Sequence, residues 1–198
     1  LISQYASQGE WQHALILYEE MQREDSVVMN LSEYTFVILL KVCIQLNDIK
    51  RGNSIYSEIA RKGLSETNIF IGSTLVHMYA KFGMPRKAKE ASDRLVARNI
   101  VSWTSLINAY AQHGLGQEAL ECFEKMQEEG FSPNAFSLVC VLNACSHSGL
   151  LDVAQKLFGN MAKNYGITPN LEHHTCMVVV FGCLGHFDKA MSLIKVMP

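Results

Sequence analysis

The chain has 198 residues, of which 48% are hydrophobic and 18% are charged. This composition is typical of a protein with a packed core and excludes an intrinsically disordered chain. No apolar run approaches the roughly 20 residues that a membrane-spanning helix needs, so no membrane segment is expected. The formal net charge of −2 at pH 7 weighs against a general electrostatic binder of nucleic acid, which would carry a basic balance.

A helical signature recurs six times along the chain. Each copy has a turn residue, a small residue five positions later, a bulky apolar residue four after that, and another three further on. This spacing places the last three residues on one face of an α-helix, where the small residue lets a neighbouring helix approach closely. Only Ser92 departs from the apolar rule. In chain order the copies are Gly9–Ala14–Tyr18–Met21, Asn47–Gly52–Tyr56–Ile59, Gly83–Ala88–Ser92–Leu95, Gly114–Ala119–Phe123–Met126, Gly149–Ala154–Phe158–Met161 and Gly185–Ala190–Ile194–Met197.

The small residues follow one another at steps of 38, 36, 31, 35 and 36 residues. A period in this range predicts an α-solenoid, in which stacked helix pairs bury their apolar faces against their neighbours. We therefore expect an all-α fold of tandem antiparallel helix pairs. No segment resembles a linker, so residues 1–198 are expected to form one continuous solenoid. Both ends fall inside a repeat, which indicates a segment of a longer protein, with any targeting peptide outside it.

The individual helices are clearest in the fourth repeat. A first helix is expected from Ile100 to the turn at Gly114, and a second from roughly Gln117 to Glu128. The segment 130–134, Gly-Phe-Ser-Pro-Asn, then breaks the helix and leads into the next repeat. The first repeat lacks such a Gly and Pro at its exit, so an extended loop is expected over residues 22–32.

Motifs for catalysis or metal binding are weak. The chain has no Gly-rich phosphate loop, no GxSxG, no HExxH and no deaminase signature, so we expect neither an enzyme nor a cofactor. Its six cysteines form no Cys-x-x-Cys pair and are interpreted as reduced core thiols. His173, His174, Cys176, Cys183 and His186 cluster in the sequence, but Cys176 falls on the helix face that the repeat buries. A metal site is therefore not predicted.

Four stretches of the repeats are distinctive: Ser-Trp-Thr-Ser-Leu-Ile-Asn-Ala-Tyr-Ala at 102–111, Val-His-Met-Tyr-Ala-Lys-Phe-Gly at 76–83, Leu-Asn-Ala-Cys-Ser-His-Ser-Gly at 142–149 and Glu-His-His-Thr-Cys-Met at 172–177. These stretches resemble the pentatricopeptide repeat (PPR) family. The unit lengths make the resemblance narrower, because alternating units of 36, 31 and 35 residues are similar to the plant PLS subclass. Tetratricopeptide repeats keep a near-constant 34 residues and fit less well. The units are 33–68, 69–99, 100–134 and 135–170, with partial units at 1–32 and 171–198.

The resemblance implies a right-handed superhelix whose first helices line a concave surface. It further implies that this surface binds single-stranded RNA, one base per repeat, in an RNA-processing factor of the mitochondrion or chloroplast. Such factors act in editing, splicing, stability or translation of transcripts. In the family, the fifth and the last residue of a repeat face the edge of an unpaired base.

Two units carry residues that suit this base reading. The resemblance pairs Ser73 with Asn99 and Thr104 with Asn134, and a hydroxyl with an amide supplies both donors and acceptors. In the family such a pair is similar to an adenine reader, so the resemblance implies adenine for both units. The two 36-residue units place a valine at the fifth position, and a valine cannot hydrogen-bond a base. These units hold Val37 with Asn68 and Val139 with Asn170; the last unit offers Thr175 alone, and the first keeps only its closing Ser32.

Other positions would hold the stacked bases and the phosphates. The second residue of each unit would form an apolar wall between bases, and these residues are Tyr34, Phe70, Val101 and Phe136. Lys81 matches the lysine that contacts phosphate in the family. Gln112, His147 and Cys183 hold the equivalent positions, so phosphate contacts are expected to be sparse.

Structural explanations compete with these roles. Ser73 and Thr104 can cap a free helix amide, the junction asparagines can be turn residues, and Phe70 and Phe136 can fill the core between repeats. A rival function is a protein-interaction scaffold in an organellar assembly such as a ribosome, favoured by the near-neutral charge and the valines. A third hypothesis combines RNA on the shorter units with a protein cofactor on the 36-residue units. The isolated segment is expected to self-associate through its end faces.

Overall fold

A computed structural model describes residues 1–23 and 31–198. In these ranges the chain forms α-helices and no β-strand. Residues 24–30, which carry most of the predicted extended loop, lie outside the described residues. The helices are α1 Ile2–Ser7, α2 Trp11–Arg23, α3 Glu33–Gln45, α4 Ile49–Arg61, α5 Leu64–Thr67, α6 Ile69–Lys81, α7 Pro85–Asp93, α8 Ile100–Gln112, α9 Gly116–Glu128, α10 Ala135–Ser148, α11 Leu151–Tyr165, α12 Leu171–Cys183 and α13 Phe187–Ile194.

The helices belong to two compact units, Leu1–Ser102 and Trp103–Pro198. In the first unit, α1, α3 and α6 pack against one another in succession, and each also packs against the helix that follows its turn, α2, α4 or α7. In the second unit, α10 packs against α12, with α11 and α13 as their partners. Each unit is thus a stack of helix pairs, which confirms the all-α solenoid. The handedness of the superhelix and the repeat boundaries stay predictions.

The predicted turns are confirmed by their backbone conformation. All six turn residues have a left-handed φ, between 53° at Asn47 and 79° at Gly9. A residue with a Cβ pays roughly 1–2 kcal/mol for this conformation, and asparagine is one of the few that adopt it. Asn47 therefore does in the second pair what glycine does in the other five.

The small residues of the signature lie in the core. Ala14, Ala88, Ala119 and Ala154 have no exposed surface. The larger residues follow the pattern less strictly where a helix is short. α7 ends at Asp93, so Leu95 packs from outside the helix and is still buried.

The last copy of the signature departs from the expected helical face. α13 ends at Ile194, which is 46% exposed, and Met197 lies beyond the helix. Within the described chain α13 packs against α12, and several of its apolar residues stay exposed. Phe187 and Met191 are also exposed there.

The cysteines behave as predicted, with one exception. All six are free thiols, and five are buried. Burial raises the pKa of the Cys140 and Cys43 thiols to about 12, which keeps both protonated and unreactive. Cys183, by contrast, is exposed at the end of α12.

Among the described residues, no helix has both the length and the apolar content needed to cross a bilayer.

Candidate nucleic-acid interface

The predicted wall residues are exposed to solvent. Tyr34 and Phe70 are each 69% exposed, Phe136 is 56% exposed and Val101 is 52% exposed. Each is in the first turn of the first helix of a pair. The alternative that Phe70 and Phe136 fill the core between repeats is therefore wrong. Single exposed apolar residues are common, but large ones repeated at one position of successive pairs indicate a shared role.

The junction residues cap the helix that follows them. In every case the side-chain oxygen accepts a hydrogen bond from a backbone N–H two or three residues later, as an N-cap does. The acceptors and donors are Ser32 Oγ with Thr35 N (3.2 Å), Asn68 Oδ1 with Phe70 N (2.9 Å) and Ile71 N (3.0 Å), Asn99 Oδ1 with Ser102 N (2.9 Å), Asn134 Oδ1 with Ser137 N (2.8 Å) and Asn170 Oδ1 with His173 N (3.2 Å).

Three of these caps are reciprocal. Ser102 Oγ accepts from the backbone N–H of Asn99 at 3.1 Å, and Ser137 Oγ accepts from that of Asn134 at 2.9 Å. His173 forms the third reciprocal cap, or capping box, through its ring Nδ1, which lies 3.2 Å from the backbone nitrogen of Asn170. Sequence reasoning missed these boxes, although the Asn-x-x-Ser spacing at two junctions was a usable signal.

The caps determine which way each asparagine amide faces. Because Oδ1 accepts from the helix, Nδ2 is the group left to point elsewhere. The Nδ2 groups of Asn99, Asn134 and Asn170 form no hydrogen bond within the described part of the chain. Asn68 differs, because its Nδ2 donates to the carboxylate of Glu33. Three junctions therefore present an unused amide donor and one does not.

The fifth residues are less accessible than the walls. Ser73 and Thr104 are each 5% exposed, whereas Thr175 is exposed. Ser73 Oγ donates to the Phe70 carbonyl at 3.2 Å, and Thr175 Oγ1 donates to the Leu171 carbonyl at 2.8 Å. These hydroxyls bond back to their own helix and not to a free amide, so the capping alternative is wrong for Ser73.

A further row of residues, which the sequence reasoning did not single out, lies one helical turn beyond the fifth residues. Residues i and i+4 share a helix face, so this spacing was the signal that could have identified them. The row consists of Lys41, His77, Asn108 and Asn143. The two asparagines accept hydrogen bonds from buried thiols of the next pair, Cys140 Sγ to Asn108 Oδ1 at 3.7 Å and Cys176 Sγ to Asn143 Oδ1 at 3.1 Å.

Two histidines of the histidine and cysteine cluster of the last pair are engaged in packing. The Nε2 of His173 lies 2.9 Å from the Ala135 carbonyl, and its ring is wholly buried. His174 places its ring edge-on against Phe158 at 5.1 Å between centroids. Across the described residues, no three His, Cys, Asp or Glu side chains are grouped so that they could hold a metal ion.

His173 is expected to make stability depend on pH. Burial lowers the pKa of its imidazole below the usual 6.5, because the charged form of a buried ring is poorly solvated. The unfolded chain then binds more protons, so stability is complete above about pH 6.5 and falls as the pH drops below it. We expect the urea midpoint of the wild type to be lower at pH 5.5 than at pH 7.5. The decrease is expected to be smaller in His173→Ser, because a serine at this position can form the reciprocal cap that Ser102 and Ser137 form. An equal fall in both proteins would contradict this.

Known repeat proteins match the chain along most of its length. The PPR repeat model matches residues 1–26, 73–99, 136–165 and 172–198, which is more than half of the chain, and the PPR repeat family model matches residues 98–147. A pentatricopeptide repeat-containing protein of Arabidopsis thaliana is 36% identical over 198 residues, covering 100% of this chain and 28% of the relative. A second Arabidopsis relative, named as mitochondrial, is 31% identical over 199 residues, again with 28% of its length covered. The chain thus spans less than a third of these relatives.

Solved structures share the fold at low sequence identity. The nuclear proteinaceous RNase P 2 (PRORP2) of A. thaliana superposes with a TM-score of 0.76 at 16% identity, over 91% of this chain and 40% of that one. PPR10 in complex with an 18-nt psaJ RNA element superposes with a TM-score of 0.70 at 19% identity, over 98% of this chain and 28% of that one. Repeat matches and stacked helix pairs agree, and the chain belongs to the pentatricopeptide repeat family.

Proposed function

We propose that this chain is a sequence-selective module for single-stranded RNA that binds one base per repeat. The observation that carries the proposal is the row of exposed apolar side chains at the second position of successive units, Tyr34, Phe70, Val101 and Phe136. A base stacked on an aromatic side chain contributes about 1–3 kcal/mol, and every base offers a π-face for this contact. The walls therefore supply affinity without selecting a base.

Selection would come from the capped asparagines. In the 69–99 and 100–134 units, the unused Nδ2 donors of Asn99 and Asn134 suit the N1 acceptor of adenine. The hydroxyl oxygens of Ser73 and Thr104 would accept from its exocyclic amino group. This division of labour gives the asparagine two roles, because its oxygen holds the helix while its nitrogen reads the base. We propose adenine for both units.

The 33–68 unit is proposed to bind a base without selecting it. Val37 offers no hydrogen bond, and Glu33 already accepts from the Nδ2 of Asn68. The wall residue Tyr34 is nevertheless exposed. Alternation between selecting and non-selecting units fits the proposed PLS order of 36-, 31- and 35-residue units.

The wider role that we propose is RNA processing in a mitochondrion or chloroplast. The name of a mitochondrial relative and the RNA complex of PPR10 support it. In this role the chain binds and positions the transcript, and any catalysis belongs to another domain or a partner.

Alanine substitution of one wall tests the proposal. Phe70→Ala is expected to weaken binding to single-stranded RNA by at least about fivefold, the lower end of one stacking contact. Phe187→Ala is the matched control, because Phe187 is 67% exposed but lies on α13, the second helix of its pair. Fluorescence anisotropy at physiological salt measures both. If Phe70→Ala and Phe187→Ala bind as the wild type does, or if no protein binds RNA, the proposal is wrong and a protein partner becomes the better hypothesis.

A further inference from the structure

A cavity of 440 Å³ lies within the first unit, beside the wall residue Tyr34. Trp11 and Tyr34 contribute aromatic rings to its lining, while Lys41 and His77 contribute polar nitrogen groups. Its volume lies within the range of about 300–1,000 Å³ that is usual for small-molecule sites. Aromatic rings beside cationic groups are the chemistry that recognises a nucleotide, because the base stacks and the phosphate carries negative charge.

Lys41, His77 and Lys81 form what we call the basic cluster. His77 and Lys81 lie one turn apart on α6. Lys41 lies on α3, which packs against α6, and lines the same cavity as His77. The positive charges of both lysines act on His77. Burial lowers the pKa of His77, and the positive charges of Lys81 and then Lys41 lower it further.

The two lysines of the cluster lack acidic partners. Neither Lys41 nor Lys81 takes part in an ion pair with any described residue, although the chain contains more acidic than basic side chains. By comparison, Arg51 on α4 is paired with Glu19 at 2.6 Å and with Asp48 at 3.1 Å. Like charges held together without a counter-charge favour an anion as the missing partner.

We infer that Lys41, His77 and Lys81 together bind a backbone phosphate of single-stranded RNA, and that the adjoining cavity holds the base or sugar of the same nucleotide against Tyr34. This inference rests on the proposed function. It assigns Lys41 and His77 to phosphate binding alongside Lys81, so the phosphate contacts are concentrated on α3 and α6. It also explains how a chain with a net negative charge attracts RNA, since a local cluster acts where the total charge does not.

Binding at this cluster is coupled to a proton. In the free protein the two lysines disfavour the imidazolium form of His77, whereas a bound phosphate favours it. The pKa of His77 therefore rises on binding, and RNA binding takes up a proton. Affinity increases as the pH falls from about 8 to about 6, because the charged form of His77 is then available.

The salt dependence of RNA binding tests the cluster. Each phosphate contact to a single strand contributes about 0.7 to the slope of log Kobs against log salt. Lys41→Gln is expected to lower the slope for oligoadenylate by about 0.7. Lys50→Gln, an exposed lysine on the second helix α4 of the same repeat, is expected to leave the slope unchanged. Equal slopes for Lys41→Gln and Lys50→Gln overturn the inference.

The proton coupling gives a second, independent readout. The wild type is expected to bind oligoadenylate with a slope about 0.7 larger at about pH 6 than at about pH 8, whereas His77→Gln shows no difference. A His77→Gln protein that keeps the full pH dependence overturns the inference, while a retained effect of Phe70→Ala leaves the proposed function standing. Inorganic phosphate alone serves as the competitor. If it displaces RNA at the same phosphate concentration as oligoadenylate does, the cluster is a free-phosphate site and the assignment to RNA is wrong.

Discussion

Gly116→Ala is expected to destabilise the second unit by about 1–3 kcal/mol, the usual cost of overpacking a tight contact. A Cβ on Gly116 would lie 2.1 Å from Ser148 Oγ and 2.5 Å from Ser148 Cβ, well inside contact distance. It would also lie 2.9 Å from the carbonyl oxygen of Ala144, which belongs to the α10 backbone and cannot rotate away. The native contact is a hydrogen bond, because the backbone N–H of Gly116 donates to Ser148 Oγ at 3.0 Å. The substitution would therefore separate α9 from α10 and lose that bond.

Gly159→Ala is the matched control for this prediction. Gly159 is an interior residue of α11, and a Cβ added there meets no heavy atom within 4 Å. Alanine in the interior of a helix is more stable than glycine by about 0.5–1 kcal/mol. Urea unfolding followed by circular dichroism should thus give midpoints that move in opposite directions for the two variants. If both variants are more stable than the wild type, α9 and α10 are not in the close contact described.

The different behaviour of these two glycines illustrates what sequence could and could not predict. The turn residues were predictable because a left-handed turn after a helix is a local requirement, which glycine or asparagine meets at Asn47 as well as at Gly114. The requirement at Gly116 is not local, because it comes from Ser148 on another helix. Nothing in the residues next to Gly116 points to Ser148.

The candidate interface likewise contains residues that the sequence could identify and residues whose positions depend on packing. The family resemblance assigned the wall residues to the second position of each unit, and a repeated position on a first helix has the same surroundings each time. The position of Lys41 relative to His77 depends on the packing of α3 against α6, which periodicity does not specify. The role of His173 was also missed, since a histidine in place of Ser137 gives no sign that its ring nitrogen completes a capping box.

The asparagine at a junction has both a structural and a proposed functional role, since one side chain belongs to a helix cap and to the proposed base reader. Asn134→Asp separates these roles with almost no change in shape. Aspartate is as good an N-cap as asparagine, so the hydrogen bond to Ser137 N should persist and the urea midpoint should stay close to that of the wild type. The free Nδ2 donor, however, becomes a carboxylate oxygen that can only accept.

This exchange of donor for acceptor predicts a change of base. Adenine presents the acceptor N1, which a carboxylate cannot satisfy, whereas uracil presents the donor N3–H. A lost or mismatched hydrogen bond of this kind costs about 1–3 kcal/mol, so the preference between the two bases should shift by about tenfold to a hundredfold towards uracil. Competition between RNAs that differ by A or U at one position measures the shift, with the wild-type protein measured on the same RNAs as the control. A variant that keeps its stability and its preference for A would mean that Asn134 acts as a cap alone and that the base is read elsewhere.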